Sequence, residues 1–159
     1  MTNTESLKTN DDMEELYTEL TEYLEEHFEE LGLSVLDEDY GQLEAMLNGE
    51  DTYPITFPAL LIAVGEASWE TFKADEQRGT MIITTRLAFD CYDDTHYGAN
   101  QREYARERIE TAGKLHKLLQ GLRPEAMGAG PLTRMASRTA ALPKGIKVYE
   151  VDYRLKITE

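Results

Sequence analysis

Residues 77–122 constrain the fold of this chain more than any other segment. An alternation of apolar and polar residues leads into a short acidic turn, and the turn leads into a helical pattern with mixed charge. Alternation with a period of two predicts a strand, and apolar residues three and four apart predict an amphipathic helix. No catalytic motif interrupts either pattern. The segment therefore favours a scaffold that presents a surface over a pocket that performs a reaction.

The first predicted strand spans Thr80 to Tyr92, and its two faces differ in chemistry. A second alternating strand is predicted from Ile146 to Thr158. The continuous apolar run from Ala59 to Val64 predicts a strand covered on both faces, which extends toward Trp69. The apolar face of the first strand comprises Met81, Ile83, Thr85, Leu87, Phe89 and Cys91, and that of the last strand comprises Tyr149, Val151, Tyr153, Leu155 and Ile157.

Two long helices are predicted. Asn10 is a suitable N-cap for an acidic helix over residues 11–32, which follows a frayed segment, residues 1–10, and ends at Gly32. The second helix follows Asn100 and ends before Pro124, which has no backbone N–H to donate. Its predicted apolar stripe comprises Ala105, Ile109, Ala112, Leu115, Leu119 and Leu122.

The remaining segments are less regular, and residues 33–56 are left open between strand and loop. Val35 and Leu36 suit a short strand, and Leu43–Leu47 suit one turn of helix. Residues 123–145 contain Gly and Pro and no periodic pattern, so they are predicted to form a long basic loop. Together the elements predict a single α+β domain: a small, mostly antiparallel β-sheet with two long helices packed on one face.

Negative charge is concentrated in the first third of the chain. Residues 1–53 contain 17 Asp or Glu and a single base, whereas residues 54–159 contain 14 acids and 15 bases. Net charges of −16 and +1 therefore add to the −15 of the whole chain. Such a field repels phosphate backbones and anionic membranes, which argues against sequence-specific nucleic-acid binding. It suits a basic protein partner, or a channel wall to which DNA does not adhere.

Cysteine content and hydropathy indicate the cellular compartment in which the protein is made. Cys91 is the one cysteine of the sequence, so no disulfide forms within the chain. The N-terminus has no apolar signal core, and no apolar run reaches the roughly 18 residues of a membrane span. These features predict a soluble protein that is made in a reducing cytoplasm and does not associate with membranes.

The segment around the acidic turn has the residue types of a metal site or of a thiol nucleophile. Alternation places Asp90 and Cys91 on opposite faces of the strand, and the acids that follow are common turn residues, so a structural role is favoured. The members of this segment are Asp90, Cys91, Tyr92, Asp93, Asp94 and His96.

Other motifs give equally little support for a catalytic or ligand-binding site. The three histidines, His27, His96 and His116, do not have the spacing of zinc ligands. Gly128 and Gly130 form a poor phosphate loop, because they neither follow a strand nor open a helix, and a flexible loop is the better interpretation. No catalytic, cofactor-binding or metal-binding residue is therefore predicted.

The basic segment 123–145 is the preferred candidate for a subunit interface, because the acidic first third offers a complementary surface on a neighbouring subunit. Such charge asymmetry suits head-to-tail rings. The acidic turn is the second candidate. The predicted interface residues are Arg123, Arg134, Arg138, Lys144, Asp93 and Asp94.

Several segments resemble a known family of proteins. They are QRGT at the start of a strand that ends in FDCYDDTHYG, the helix ERIETAGKLHKLLQGL, and IKVYEVDYRLKI at the C-terminus. These segments are similar to tail proteins of phages and prophages. More narrowly, they resemble the tail-completion (tail-terminator) proteins of long-tailed phages, in versions of the Bacteroidetes type. The resemblance covers roughly residues 54–158, and the order of elements is similar to that of the family's α+β fold.

The resemblance implies a virion assembly protein without enzymatic activity. Tail terminators form a ring, usually a hexamer, that caps the tail tube, stops its polymerisation and offers a surface for joining the head. DNA passes through the lumen without specific binding. The implied partners are further copies of the chain, the tail tube and head–tail connector proteins. The implied locations are the host cytoplasm during assembly and then the virion tail.

Other functions stay open at this point. A head–tail connector or minor tail protein would share the same fold. A small ligand-binding or regulatory module would hold its ligand in a closed apolar pocket near Trp69 and Phe89. A metal-assisted hydrolase would use Asp90, Asp93, Asp94 and His96.

Overall fold

The computed structural model describes residues 3–50, 54–91 and 101–159. Within them the chain forms one sheet with helices, the α+β class that the sequence predicts. The helices are α1 (Asn3–Glu25), α2 (Gln42–Leu47) and α3 (Gln101–Leu119). The strands are β1 (Val35–Glu38), β2 (Ala59–Lys73), β3 (Glu76–Asp90), β4 (Thr133–Leu142) and β5 (Ile146–Thr158).

The sheet is mostly antiparallel, as predicted, and has the strand order β1-β2-β3-β5-β4. β1 lies parallel to β2, and the other neighbouring pairs are antiparallel. β2 and β3 form a long hairpin that turns at Ala74 and Asp75. A short 3-10 helix over Pro143–Gly145 joins β4 to β5, so β4 is the outermost strand on that side.

The main core lies between the two long helices and one face of the sheet, which we call the helix face. Most apolar residues that the alternation of β3 and β5 assigned to one side are buried there, and Tyr153 is fully covered. Burial of this apolar surface is the main stabilising contribution to the fold. The predicted packing of two long helices on one face is confirmed. The helices contribute Leu16, Leu20 and Leu24 of α1 and Leu115 and Leu119 of α3.

The opposite face of the sheet, which we call the outer face, is covered in part by α2. Leu43 of α2 packs there in a smaller apolar cluster. Beside it, Arg86 of β3 reaches the connection from β1 to α2: its Nε donates to Asp39 Oδ2 at 2.7 Å, and its Nη2 donates to Glu44 Oε2 at 3.0 Å. The side chains of Arg86 and Asp39 are only 13% and 14% exposed, whereas Glu44 of α2 is 53% exposed, so these ion pairs anchor α2 and the connection before it to the sheet with one partner in water. The other buried members of the cluster are Leu61, Ala88, Ile146 and Val148.

The prediction of a long basic loop over residues 123–145 is wrong, because β4 lies within it and pairs with β5. The strand sequence TRMASRTAAL is exposed on both faces, so it carries no alternation of apolar and polar residues. The residues before β4 are packed as well, contrary to the flexible loop expected around Gly128. Met127 is buried, and the Thr158 hydroxyl donates to the Met127 carbonyl oxygen at 3.3 Å.

The bounds and packing of the long helices also differ from the prediction. α1 begins at Asn3 and ends at Glu25, so Asn10 lies inside the helix and is not its N-cap. No Gly or Pro falls within this range, which allows the helix to extend over the segment predicted to be frayed. Ile109 of the predicted apolar stripe is 61% exposed, because α3 packs on the sheet through its C-terminal half. None of the described helices is long and apolar enough to cross a membrane.

Gly79 of β3 lies opposite Trp69 of β2, and the indole packs against it. A Cβ at residue 79 would lie 2.8 Å from Trp69 Cε3 and 2.9 Å from the Ser68 carbonyl oxygen. We therefore expect Gly79→Ala to lower the free energy of unfolding by about 1–3 kcal/mol in urea denaturation. Gly113→Ala is the control: no atom lies within 4 Å of its added Cβ, and Ala in a helix stabilises by up to about 1 kcal/mol. Equal effects of the two substitutions would contradict this packing.

Candidate functional site

β4 is an edge strand whose outer side pairs with no other strand of the described residues. Every residue of β4 except Ala136 and Leu142 is exposed. An edge strand presents a row of unpaired N–H and C=O groups, which form a template for pairing with another chain. The outer side of β4 is therefore a candidate interaction surface.

Most of β4 lacks the features that normally keep edge strands from pairing. Natural edges are guarded by Lys, Pro or bulges. β4 has one irregularity, between Arg134 and Ala136, and the remaining sequence ASRTAAL contains small side chains and no Pro, Gly or Lys. A second strand can therefore approach the segment 136–142 closely.

The one charge within this segment belongs to Arg138, and it is neutralised inside the chain. Its Nη1 donates to Asp152 Oδ2 at 3.1 Å, and its Nε contacts the carboxylate of Glu150. Thr84 Oγ1 also donates to Asp152, at 2.7 Å. Burial opposes ionisation of Asp152, but the hydrogen bonds from Thr84 and Arg138 outweigh it and hold its pKa below the ordinary value. Arg138 therefore lies flat on the outer face and leaves the edge open.

An open groove of about 410 Å³ lies next to β4 on the helix face. On the α3 side the lining consists of two small residues, Ala112 and Gly113, and of the larger His116. Ile109 lies one helical turn before Gly113 on the same side of α3, and its side chain is exposed. The groove is lined by Ala112, Gly113 and His116 of α3, by Arg134, Ser137, Arg138 and Thr139 of β4, and by Tyr149, Glu150 and Val151 of β5.

His116 connects the groove to the core. Its Nδ1 lies 2.9 Å from the hydroxyl oxygen of Tyr153, and the two rings stack with centroids 5.9 Å apart. Burial raises the pKa of Tyr153 to about 12. Burial and the positive charge of Arg134 lower the pKa of His116 below 6.5. A neutral imidazole therefore lines the groove at neutral pH.

This arrangement predicts a pH dependence of stability. Because the folded-state pKa of His116 lies below the unfolded value of 6.5, the unfolded chain binds a proton first as the pH falls. We expect the melting temperature to decrease as the pH falls through about 6.5 toward the lower folded-state pKa, and His116→Gln to weaken this decrease. His27→Gln serves as the control for loss of a histidine. The same pH dependence in His116→Gln and the wild type would contradict the assignment.

The structure separates the predicted basic interface residues. Arg134 lies opposite Tyr153 on the helix face, whereas Arg138 lies opposite Glu150 on the outer face. Lys144 lies in the turn between β4 and β5 with a φ of 66°, and Arg123 is exposed after α3. These four cations therefore surround the β4 edge and do not form one patch.

The predicted acidic turn lies outside the described residues, which include neither Asp93 and Asp94 nor Tyr92 and His96. Asp90 is exposed at the end of β3, and the half-buried Cys91 packs against the main core, as alternation predicted. Within the described part of the chain, no three His, Cys, Asp or Glu side chains converge as a metal site.

The closed pocket that a ligand-binding module would need near Trp69 and Phe89 is not possible. Trp69 faces Gly79, which lies ten positions from Phe89 along β3. At about 3.3 Å per residue, the two aromatic residues lie about 33 Å apart along the sheet. They cannot line the same small-molecule site.

The acidic side of α1 contains a second open groove, of about 600 Å³, lined mainly by carboxylates. One of them has a structural role: the Glu19 carboxylate accepts hydrogen bonds from the backbone N–H groups of Glu125, at 2.8 Å, and Ala126, at 3.0 Å. This contact attaches the segment before β4 to α1. The exposed Glu14, Glu15 and Glu22 leave a negative surface beside it.

Comparison with solved structures shows a weak likeness to a virion protein. No protein-family model and no curated protein matches the sequence. A solved chain from the virion of the native gene transfer agent (GTA) particle matches with a TM-score of 0.47 and 11% sequence identity. The match covers 76% of this chain and 91% of that chain, and the likeness is coarse.

Proposed function

We propose that this protein is a non-enzymatic virion assembly protein of a phage or prophage, and more narrowly a tail terminator that caps the tail tube as a ring. The observation that carries the proposal is the exposed edge of β4, with its small side chains and its internally neutralised Arg138. An edge of this kind suits association between chains, because its backbone groups remain available for pairing.

The resemblance of residues 54–158 to tail-completion proteins supplies the type of assembly. Charge is consistent with it, since a net charge of −15 suits the wall of a lumen through which DNA slides without binding. The proposed partners are further copies of the chain, six in a ring by analogy with the family it resembles, together with the tail tube and head–tail connector proteins. The protein would act in the host cytoplasm during assembly and remain in the virion tail.

Removal of the gene from its parent phage or prophage tests the proposal. Without a terminator, polymerisation of the tail tube is not stopped, so we expect electron micrographs to show overlong tails and unjoined heads. Restoring the gene in trans is expected to restore virions. Tails of normal length beside heads that lack tails would indicate a head–tail connector instead. Normal infectious virions would contradict both assignments.

A further inference from the structure

We propose that the β4 edge of one copy pairs with the outer edge of β2 in the next copy, antiparallel and head to tail, so that one sheet continues around the ring. This inference rests on the proposed function, because it names the two surfaces that would join neighbouring subunits.

The outer side of β2 is a second open edge. β1 pairs only with residues 59–62 of β2, and no other described strand covers the outer side of the remainder, residues 63–73. β2 and β4 therefore expose edges at opposite sides of the same sheet. Two different edges on one chain are the requirement for a head-to-tail contact.

Strand direction favours this pairing. β2, β3, β5 and β4 alternate in direction, so β2 and β4 run in opposite directions. Copies related by rotation about the ring axis keep the direction of each strand relative to that axis. The β4 strand of one copy then meets β2 of the next copy antiparallel, which continues the pattern of the sheet.

The two edges also match in length. The residues of β3 provide a common scale along the sheet. By the strand pairing, β4 lies level with residues 82–90 of β3, and the open part of β2 lies level with residues 76–84. Both segments therefore span nine positions and are offset by six at each end. An even offset keeps helix-face side chains on the helix face across the junction, because side chains alternate with a period of two.

This offset corresponds to a plausible tilt of the strands. Six positions at about 3.3 Å give a stagger of about 20 Å per copy, and four strands about 4.8 Å apart give a width of about 19 Å. The ratio of this stagger to this width corresponds to strands tilted by about 45° from the ring axis. That value is at the upper end of the roughly 35–45° found in closed sheets.

Side-chain size and charge are complementary at this register. Ser137 lies opposite Trp69, and Thr139 lies opposite Ala67, so small residues of β4 meet the side of β2 that carries the indole. Glu66 and Glu70 give β2 an acidic edge, whereas the charged residues of β4 are Arg134 and Arg138.

Exposed apolar side chains flank both edges. Phe72 of β2 is 50% exposed, and Met135 of β4 and Ile109 of α3 are 51% and 61% exposed. Pairing of the two edges would remove part of this apolar surface from water, which is favourable. The groove beside α3 would receive the helix-face side chains of the incoming β2.

Disulfide cross-linking tests this register. In the double variant Ala67→Cys/Thr139→Cys, made together with its single variants in a Cys91→Ser background, the two thiols belong to directly opposed residues of neighbouring copies, with Cβ atoms about 5 Å apart. Mild oxidation is expected to give a ladder of covalent multimers in denaturing electrophoresis. Each single variant alone is expected to stay uncross-linked, and a mixture of the two is expected to give dimers only.

The control variant Thr71→Cys/Thr139→Cys keeps both thiols on the helix face but moves one by four residues, about 13 Å. It is expected to give no ladder. Rings in electron micrographs without a ladder from Ala67→Cys/Thr139→Cys would overturn the edge pairing and leave the proposed function standing. Dimers from Thr139→Cys alone would show that two β4 strands pair with each other symmetrically, and would contradict the head-to-tail contact. Monomers in every variant and in the wild type would overturn the ring together with this pairing.

Discussion

The variant Ser137→Glu/Thr139→Glu is expected to remain monomeric at concentrations at which the wild type forms rings. Both residues are exposed on β4 and line the groove, so the substitutions affect the edge and leave the core intact. Pairing would remove two carboxylates from water and place them directly opposite Trp69 and Ala67 of the neighbouring β2. Burying a charge without a partner costs several kcal/mol, and about 3 kcal/mol corresponds to association weaker by about 100-fold.

Light scattering coupled to size exclusion measures this effect across a concentration series. The matched control is Asn48→Glu/Thr56→Glu, which adds the same charge at two exposed positions outside the strands. The control is expected to assemble like the wild type. Equal loss of assembly in both variants would show that net charge, and not the β4 edge, governs association. Exposed substitutions usually change stability by less than about 0.5 kcal/mol, so both variants should remain folded.

Arg86→Leu is expected to lower the free energy of unfolding by about 2–4 kcal/mol. Breaking a buried ion pair leaves a charge without its partner and costs about 3–5 kcal/mol, and the lower range applies because Glu44 is half exposed. Asp39, at 14% exposure, would lose the two hydrogen bonds from Arg86 Nε and Nη2. Urea denaturation in the Ser137→Glu/Thr139→Glu background measures the effect without a contribution from assembly.

Two comparisons separate the ion pair from general effects of removing an arginine. Arg154→Leu removes an exposed arginine from the same face of the sheet and is expected to cost less than about 0.5 kcal/mol. Adding Asp39→Asn and Glu44→Gln to Arg86→Leu is expected to recover part of the lost stability, because the uncompensated charges are removed. Equal losses for Arg86→Leu and Arg154→Leu would refute an anchoring role for Arg86.

The same ion pair predicts an acid-side effect. The hydrogen bond from Arg86 lowers the pKa of Glu44 below 4.5. The resulting stabilisation is present above the unfolded-state pKa and is lost as the pH falls through the lower folded-state value. Stability of the wild type should therefore decrease on acidification below about pH 4.5, and the contribution of Glu44 to this decrease should be absent in Arg86→Leu.

The sequence predicts the strands that bury one of their faces. It does not predict β4, which buries neither of its faces. β3 and β5 alternate because one side of each packs on the helices, and their apolar faces were predicted residue by residue. β4 is exposed on both faces, so its sequence contains no burial pattern and resembles a loop. The strand that carries the candidate site is therefore the one that periodicity could not detect.

Long-range pairing explains two further differences. Arg86 occupies the polar side of an alternating strand, and only the fold brings it to Asp39, 47 residues earlier in the chain. Ile109 fits a helical apolar stripe, yet it is 61% exposed, because the buried residues of α3 lie in its C-terminal half. In both cases the local pattern predicts on which face of its strand or helix the residue lies. It does not predict which other element packs against that face.

The size of the assembled species tests the central claim most directly. Light scattering with size exclusion over a wide concentration range, together with negative-stain images of the largest species, distinguishes a closed ring from other states. The account predicts rings, with a hexamer implied by the resemblance to tail terminators, that dissociate on Ser137→Glu/Thr139→Glu. A wild type that stays monomeric at every concentration would contradict assembly through the sheet edges and would favour a small binding module that uses the groove beside α3.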